Sequence, residues 1–249
     1  MLFNVGCITD IGKKRSQNQD SMAAIPELGL FMVADGMGGH RGGETASAIA
    51  TEVIPKSVAE SFKTSGWEPR MVIAEAMQQA NRAIYQHALK RPELQGMGTT
   101  ATALLFTNGK LTIGHVGDSR CYFLKPEGIW QATRDHSLVQ EKLRAGLITR
   151  SEVKTDRMKN VITRSVGFEP VVDVDVYQMN VTIGDTFLIC SDGLSGLIED
   201  PEVFRLVKKD LFEQGDINQT VKDLIGTANR NGGDDNITTV MIQVVQLDG

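Results

Sequence analysis

The chain has 249 residues, 41% apolar and 23% charged, with a formal net charge of −5, the proportions of a globular chain with one large core or two small ones. This balance excludes the positive stripe that nucleic-acid binding needs, and no apolar run approaches the ~18 residues of a membrane span. Its 3 cysteines, Cys7, Cys121 and Cys190, are odd in number and far apart, which fits neither a disulfide framework nor a zinc site. The first ten positions are too short and polar for a signal peptide, so a soluble, cytoplasmic chain is expected, with no membrane or nucleic-acid partner.

In chain order, residues 3–9 alternate and predict a strand, and 28–34 is a nearly continuous apolar run that stops at Asp35. Residues 44–62 carry Ala46, Ile49, Ala50, Val53, Val58 and Phe62 at rough helical spacing, interrupted by Pro55. A cleaner helix is predicted over 69–90, with Pro69 in its first turn and a stripe from Val72 through Met77 to Ala88. Strands at 101–106 and 110–116 flank Asn108-Gly109, a strong hairpin dipeptide. Strands at 121–124 and 129–133 flank a Pro-Glu-Gly turn.

Residues 137–145 read as helical, and Thr149 with Glu152 matches a capping box. Arg150, Lys154, Arg157, Lys159 and Arg164 make the same stretch basic, and 137–167 is expected to be a surface flap. Strands at 171–181 and 185–190 follow. Asp200-Pro201 opens a helix to about 212, and another spans 217–230, ended by Asn231-Gly232-Gly233. A strand at 237–245 closes the chain. Strands cluster as hairpins and helices are grouped, which predicts antiparallel sheets with helices outside rather than a doubly wound parallel sheet.

Three apolar strands each run into an aspartate: Asp35 after 30–34, Asp118 after 111–117, Asp192 after 187–191. Asp235 immediately precedes the last strand, and Asp20 closes Arg15-Ser-Gln-Asn-Gln-Asp20. Singly, each is an ordinary turn. Gathered in one place, such carboxylates repel one another and need counter-charge. Oxygen donors without thiolates select Mg²⁺ or Mn²⁺ over Zn²⁺, and two such ions can polarise a phosphoryl group and activate water. Arg15 suits a bidentate phosphate clamp. The glycines of 36–43 are not a nucleotide loop, because Arg41 stands where the third glycine is needed and no Gly-Lys-Ser/Thr follows.

Six motifs in order, Arg15-x-x-Asn18-x-Asp20, Val33-Ala-Asp-Gly-Met-Gly-Gly-His40, Met97-Gly-Thr-Thr-Ala101, Val116-Gly-Asp-Ser-Arg120, Cys190-Ser-Asp-Gly-Leu194 and Asp235-Asn-Ile-Thr238, resemble the PPM-type (type 2C) metal-dependent protein serine/threonine phosphatases of short bacterial type. The resemblance implies an α+β fold, a four-layer αββα sandwich of two antiparallel sheets flanked by helices with a small flap insertion. It implies one phosphatase catalytic domain over 1–249, with a flap subdomain at about 137–167.

By position, Asp35 resembles the aspartate bridging two central Mn²⁺ or Mg²⁺ ions, with the Gly36 carbonyl on one of them. Asp192 and Asp235 resemble ligands of the first ion, and Asp118 with Asp192 the pair for a third, weaker one. Asp20 would hold metal-bound waters, Arg15 the phosphate, and Asn236 a ligand carboxylate. The implied activity is hydrolysis of phosphoserine and phosphothreonine on proteins by metal-activated water, without a phosphoenzyme. Catalysis would rest on Arg15, Asp20, Asp35 and Asp192. The implied partners are phosphorylated proteins, including a serine/threonine kinase and its targets, and a monomer is expected.

Met37 departs from members that place a general-acid histidine directly after the Asp-Gly pair; water, rather than His40, is the expected acid. His136, in Arg134-Asp-His-Ser137, resembles a family segment beside the flap. His115 shares parity with Leu111 and Ile113 and reads as a core residue, while His87 reads as solvent-facing. Two alternatives stand: a small-molecule phosphohydrolase using the same metals, or an inactive phosphoprotein-binding scaffold. A lapsed scaffold should lack a metal aspartate, and every expected one is present.

Overall fold

The computed structural model describes residues 1–153 and 155–247, without the side chains of 39–41. Lys154, in the basic stretch expected to be a flap, and the His40 side chain therefore lie outside the described part. In order the elements are β1 (Leu2–Asp10), β2 (Asp20–Ile25), β3 (Leu30–Met37), α1 (Gly39–Ser61), α2 (Pro69–Leu89), β4 (Gly98–Thr99), β5 (Ala101–Thr107), β6 (Lys110–Val116), β7 (Arg120–Lys125), β8 (Gly128–Gln131), α3 (Leu138–Arg144), α4 (Arg150–Val153), β9 (Asp175–Asn180), β10 (Thr186–Cys190), α5 (Asp192–Ser195), α6 (Asp200–Val207), α7 (Ile217–Arg230) and β11 (Ile237–Gln246).

Two sheets result, with strand orders β1-β11-β10-β7-β8 and β2-β3-β5-β6-β9, and the short β4 pairs with β3. Every pairing is antiparallel. Asn108 (φ 51°) and Gly109 (φ 71°) both take positive φ in the β5–β6 hairpin, as a primed two-residue turn requires.

Three apolar layers explain the stacking. Leu30, Met32 and Ala34 of β3 join Ala50, Ile54, Ile73 and Met77 of α1 and α2. Phe31 and Val33 face the other way, into a layer shared with Phe187, Ile189, Val240 and Ile242 of the opposite sheet. Beyond that sheet, Leu188, Cys190 and Met241 pack on Val203, Leu206, Val221 and Leu224 of α6 and α7. A strand covered on both faces needs no polar alternation, which is why 28–34 reads as one apolar run. The result is the expected αββα sandwich.

Several local expectations are revised. Helix α1 starts at Gly39 and passes through Pro55 without a break, with Ile54 and Val58 fully buried around it; burial against β3 and α2 outweighs the ~3 kcal/mol proline penalty. The strand predicted at 171–181 begins only at Asp175. The Asn81 side chain donates to the carbonyls of Glu169 (3.0 Å) and Pro170 (3.1 Å), and Gln78 donates to that of Val172, so this backbone is spent on α2 rather than on the sheet. The helix opened by Asp200 continues past Val207 as a π-helical turn at Lys208–Phe212. His87 is half-buried rather than solvent-facing, with its Nε2 enclosed. One arm of the capping box forms, the Thr149 amide donating to the Glu152 carboxylate at 2.7 Å, while the Glu152 amide donates to the Thr149 carbonyl at 3.1 Å. Among the described residues, no helix is long and apolar enough to cross a membrane.

Candidate metal and active site

The aspartates meet at one end of the sandwich because both sheets deliver strand ends there. Asp35 lies near the end of β3, paired directly with Asp20, the first residue of β2. Asp118 occupies the turn between β6 and β7, Asp192 opens α5 just beyond β10, and Asp235 lies two residues before β11. Two glycines permit the closeness. A Cβ on Gly193 would lie 2.0 Å from the Asn236 carbonyl oxygen, so only glycine lets the α5 turn sit on that loop and bring Asp192 beside Asp235. A Cβ on Gly36 would lie 2.0 Å from the Gly43 carbonyl oxygen; here glycine is required by the first turn of α1.

The electrostatics are those of crowded carboxylates. Burial, reinforced by Asp20, Asp192, Asp118 and Asp235, holds the Asp35 carboxyl well above the usual carboxylate range. Burial and the charges of Asp192 and Asp135 push Asp118 up to about 8. Burial is the main cause raising Asp20 to about 6, against hydrogen bonds from Thr238 and Ser191. Asp192 is raised by burial and Asp235, and its opposing influences are a hydrogen bond from Asp35 and the charge of Arg15. Arg15 reaches Asp235 at 2.6 Å.

This donor set fits hard divalent cations. Every candidate ligand is an oxygen, the carboxylates lack sufficient counter-charge, and Asp20 Oδ1 and Asp118 Oδ1 are buried without a hydrogen-bond partner. Among the described residues, no three His, Cys, Asp or Glu side chains already enclose a common point. Mg²⁺-like ions keep several waters and need only one or two carboxylates each, so a closed cage is not a condition of the fit.

Asn236 departs from expectation. Its side chain donates to the carbonyls of Ile11 and Gln17 (both 2.9 Å) and accepts from the Gln19 amide (2.8 Å), so it fastens the loop that carries Arg15. Its backbone amide, not its side chain, bonds Asp235 at 2.8 Å. Met37 pairs with Gly98 at the end of β3. His115 is fully buried, as its parity predicts, between Thr102 Oγ1 and the Arg134 carbonyl (both 3.0 Å).

Sequence reasoning missed supporting residues. Ser191 donates to Asp20 at 2.8 Å. Thr100 Oγ1 accepts from the Asp35 amide at 2.9 Å. Arg120 pairs with buried Asp135 at 2.8 Å. Ser191, Thr100 and Arg120 lie inside the quoted motifs, where they served only as spacers. Asp175, which binds His136 and Arg164 (3.2 and 2.7 Å), carries no sequence signal.

Known proteins resemble this chain in sequence and fold. The profile of the family described as "Protein phosphatase 2C" matches residues 12–240. The chain is 34% identical over 241 residues to the serine/threonine phosphatase stp of Listeria innocua, covering 94% of this chain and 93% of that one. It is 34% identical over 250 residues to the protein phosphatase PhpP of Streptococcus pneumoniae, covering 99% of each. The Mycobacterium tuberculosis serine/threonine phosphatase PstP/Ppp superposes with a TM-score of 0.90 at 30% identity, over 99% of this chain and 100% of that one. A PstP catalytic domain in complex with 2 manganese ions superposes with a TM-score of 0.87 at 32% identity, over 98% and 99% of the two chains.

Proposed function

The chain belongs to the protein phosphatase 2C family, and we propose that the carboxylate cluster at the sheet ends is where this metal-dependent enzyme removes phosphate from phosphoserine and phosphothreonine in proteins. Bound Mn²⁺ or Mg²⁺ supplies the charge that polarises the phosphoryl group and makes water nucleophilic near neutral pH. In this reading Asp35, Asp192 and Asp235 with the Gly36 carbonyl hold two central ions, and Asp118 with Asp192 holds a weaker third. Asp20 orients water, and Arg15 turns from Asp235 to clamp the phosphate. Catalysis rests on Arg15, Asp20, Asp35 and Asp192. Met37 cannot donate a proton, so water protonates the leaving alkoxide; a hundredfold loss of turnover in His40→Ala with metal affinity intact would transfer that role to His40.

The chain is read as one catalytic domain over 1–249, with 137–167 as a flap that helps select protein substrates. A cytoplasmic monomer acting on a serine/threonine kinase and its targets is the setting that best suits the family, the net charge and the lack of an apolar span among the described helices.

The observation that carries the reading is the buried carboxylate group with unpartnered oxygens and raised proton affinity. Phosphate release from a phosphothreonine peptide tests it, with Mn²⁺ and with excess chelator, for the native chain and Asp192→Ala. Release that requires both the ion and Asp192 is expected. Release unaffected by chelator or by loss of Asp192 would place the chemistry elsewhere.

A further inference from the structure

His136 is held on every side. Its amide donates to the Gly117 carbonyl at 2.8 Å, and its ring Nδ1 faces the Gly117 amide at 3.1 Å. Its carbonyl accepts from the Thr163 amide at 2.9 Å. Its Nε2 lies 3.2 Å from Asp175 Oδ2. A backbone amide can only donate, so Nδ1 must carry a lone pair, and the proton of the neutral ring sits on Nε2 and is donated to Asp175. Asp175 in turn receives Arg164 at 2.7 Å and the Tyr177 hydroxyl at 3.0 Å.

These contacts join two places that the sequence keeps apart. Gly117 precedes Asp118, and both of its polar backbone groups are taken by this one residue. On the other side lie both stems of the flap. Ser137 bridges to Ile162, and the Leu138 amide donates to the Val161 carbonyl at 2.8 Å; Thr163 and Arg164 stand on the return stem. The ring is buried and lies 4.9 Å from that of His115, centroid to centroid. Burial and the charge of Arg164 disfavour a second proton on His136, which keeps Nδ1 free to accept.

We propose that His136 is a positioning residue: its unprotonated Nδ1 fixes the Gly117–Asp118 turn, and through Asp175 and Arg164 the same ring holds the flap stems against that turn. Flap position and the aim of the Asp118 carboxylate are then set together. The inference rests on the reading of Asp118 as a ligand of the weaker ion.

The test is Mn²⁺ binding followed by the paramagnetic resonance of free Mn²⁺, together with limited proteolysis within 137–164. His136→Asn puts an acceptor near the Nδ1 position and loses the Asp175 contact; His136→Gln keeps a donor toward Asp175 and loses the acceptor. His136→Gln should bind the weakest Mn²⁺ about tenfold less tightly, the scale expected when a residue orienting a ligand is lost, with the tighter ions unchanged. His136→Asn should stay near native in Mn²⁺ binding but be cleaved faster in the flap.

 The Arg164 side chain is 33% exposed, so Arg164→Met keeps the fold and decides the matter should either His136 variant fail to fold: faster flap cleavage with native-like Mn²⁺ binding is expected, as for His136→Asn. Asp118→Asn separates the two readings. If it binds the full set of ions, the ligand reading of Asp118 is lost and the flap cleavage rates alone decide the relay. If it loses the weakest ion while His136→Gln and Arg164→Met match the native chain in both Mn²⁺ binding and cleavage, the relay is overturned.

Discussion

Ser191 donates its hydroxyl proton to Asp20 across the gap between the two sheets, at 2.8 Å, while accepting from the Thr238 amide at 3.0 Å. The bond ties β2 of one sheet to the end of β10 in the other, at the end where the aspartates gather. It also provides a partner for one oxygen of a carboxylate whose other oxygen is buried without one. Ser191→Ala strands the Thr238 amide and weakens the support of Asp20. The expected loss is about 2 kcal/mol, the cost of leaving buried polar groups unpaired, read as a lower urea midpoint with an unchanged slope in the presence of chelator. A midpoint equal to that of the native chain would show that the bond contributes nothing net.

The glycines give a prediction with opposite signs. Gly36→Ala places a Cβ 2.0 Å from backbone oxygen of Gly43, and backbone cannot step aside as a side chain can. A loss of about 3 kcal/mol is expected. Gly226 lies inside α7, where a Cβ would meet only the Arg230 guanidinium at 3.4 Å. Gly226→Ala should therefore stabilise by about 0.5–1 kcal/mol through the lower backbone entropy of the unfolded chain. Thermal unfolding of the two variants beside the native chain checks both signs together.

Burial pushes the His115 imidazole down to about 4. Between that value and the unfolded value of 6.5, the unfolded chain binds the proton that the folded chain refuses. Stability from this group is fully present above about pH 6.5 and is lost as the pH falls toward 4. Between about pH 7.5 and pH 5, native stability should fall by about 2 kcal/mol more than that of His115→Gln. Chemical denaturation of both proteins at the two pH values measures the difference, and parallel losses would show that His115 does not titrate between the two states.

The layered fold was legible because its signals are local. The apolar run of β3, the Asn108-Gly109 hairpin and the Val72–Met77 stripe of α2 each follow from side-chain period and turn chemistry. Pro55 misled because its penalty is local while its compensation, burial of Ile54 and Val58 on β3 and α2, is tertiary. The aspartates could be picked out because each ends an apolar strand or opens a turn, but their convergence follows from strand order, which periodicity does not carry. Asn236 shows the same limit. Its place in an Asp-Asn pair suggested a bond to a carboxylate, whereas its side chain holds a loop more than 200 residues away in sequence. Asp175 was invisible because its role depends on two partners from other segments, His136 and Arg164, beside Tyr177 of its own strand.

Arg15 offers a test of the proposed division of labour at the site. Its guanidinium bonds Asp235 at 2.6 Å, yet the two side chains are 50% and 36% exposed, so the pair is worth only about 0–1 kcal/mol. An ion held by Asp235 competes for the same carboxylate and would release Arg15 at little cost. The freed guanidinium then has the fork geometry to bind two phosphate oxygens. Arg15→Ala should accordingly raise KM for a phosphothreonine peptide by about tenfold or more, the equivalent of one charge-assisted hydrogen bond, while Mn²⁺ binds as tightly as before or slightly tighter. Arg15→Lys, which keeps the charge but not the fork, should recover only part of the loss. Titration of Mn²⁺ alongside peptide kinetics separates the cases: weakened Mn²⁺ binding with unchanged KM would place Arg15 in support of Asp235 rather than on the substrate.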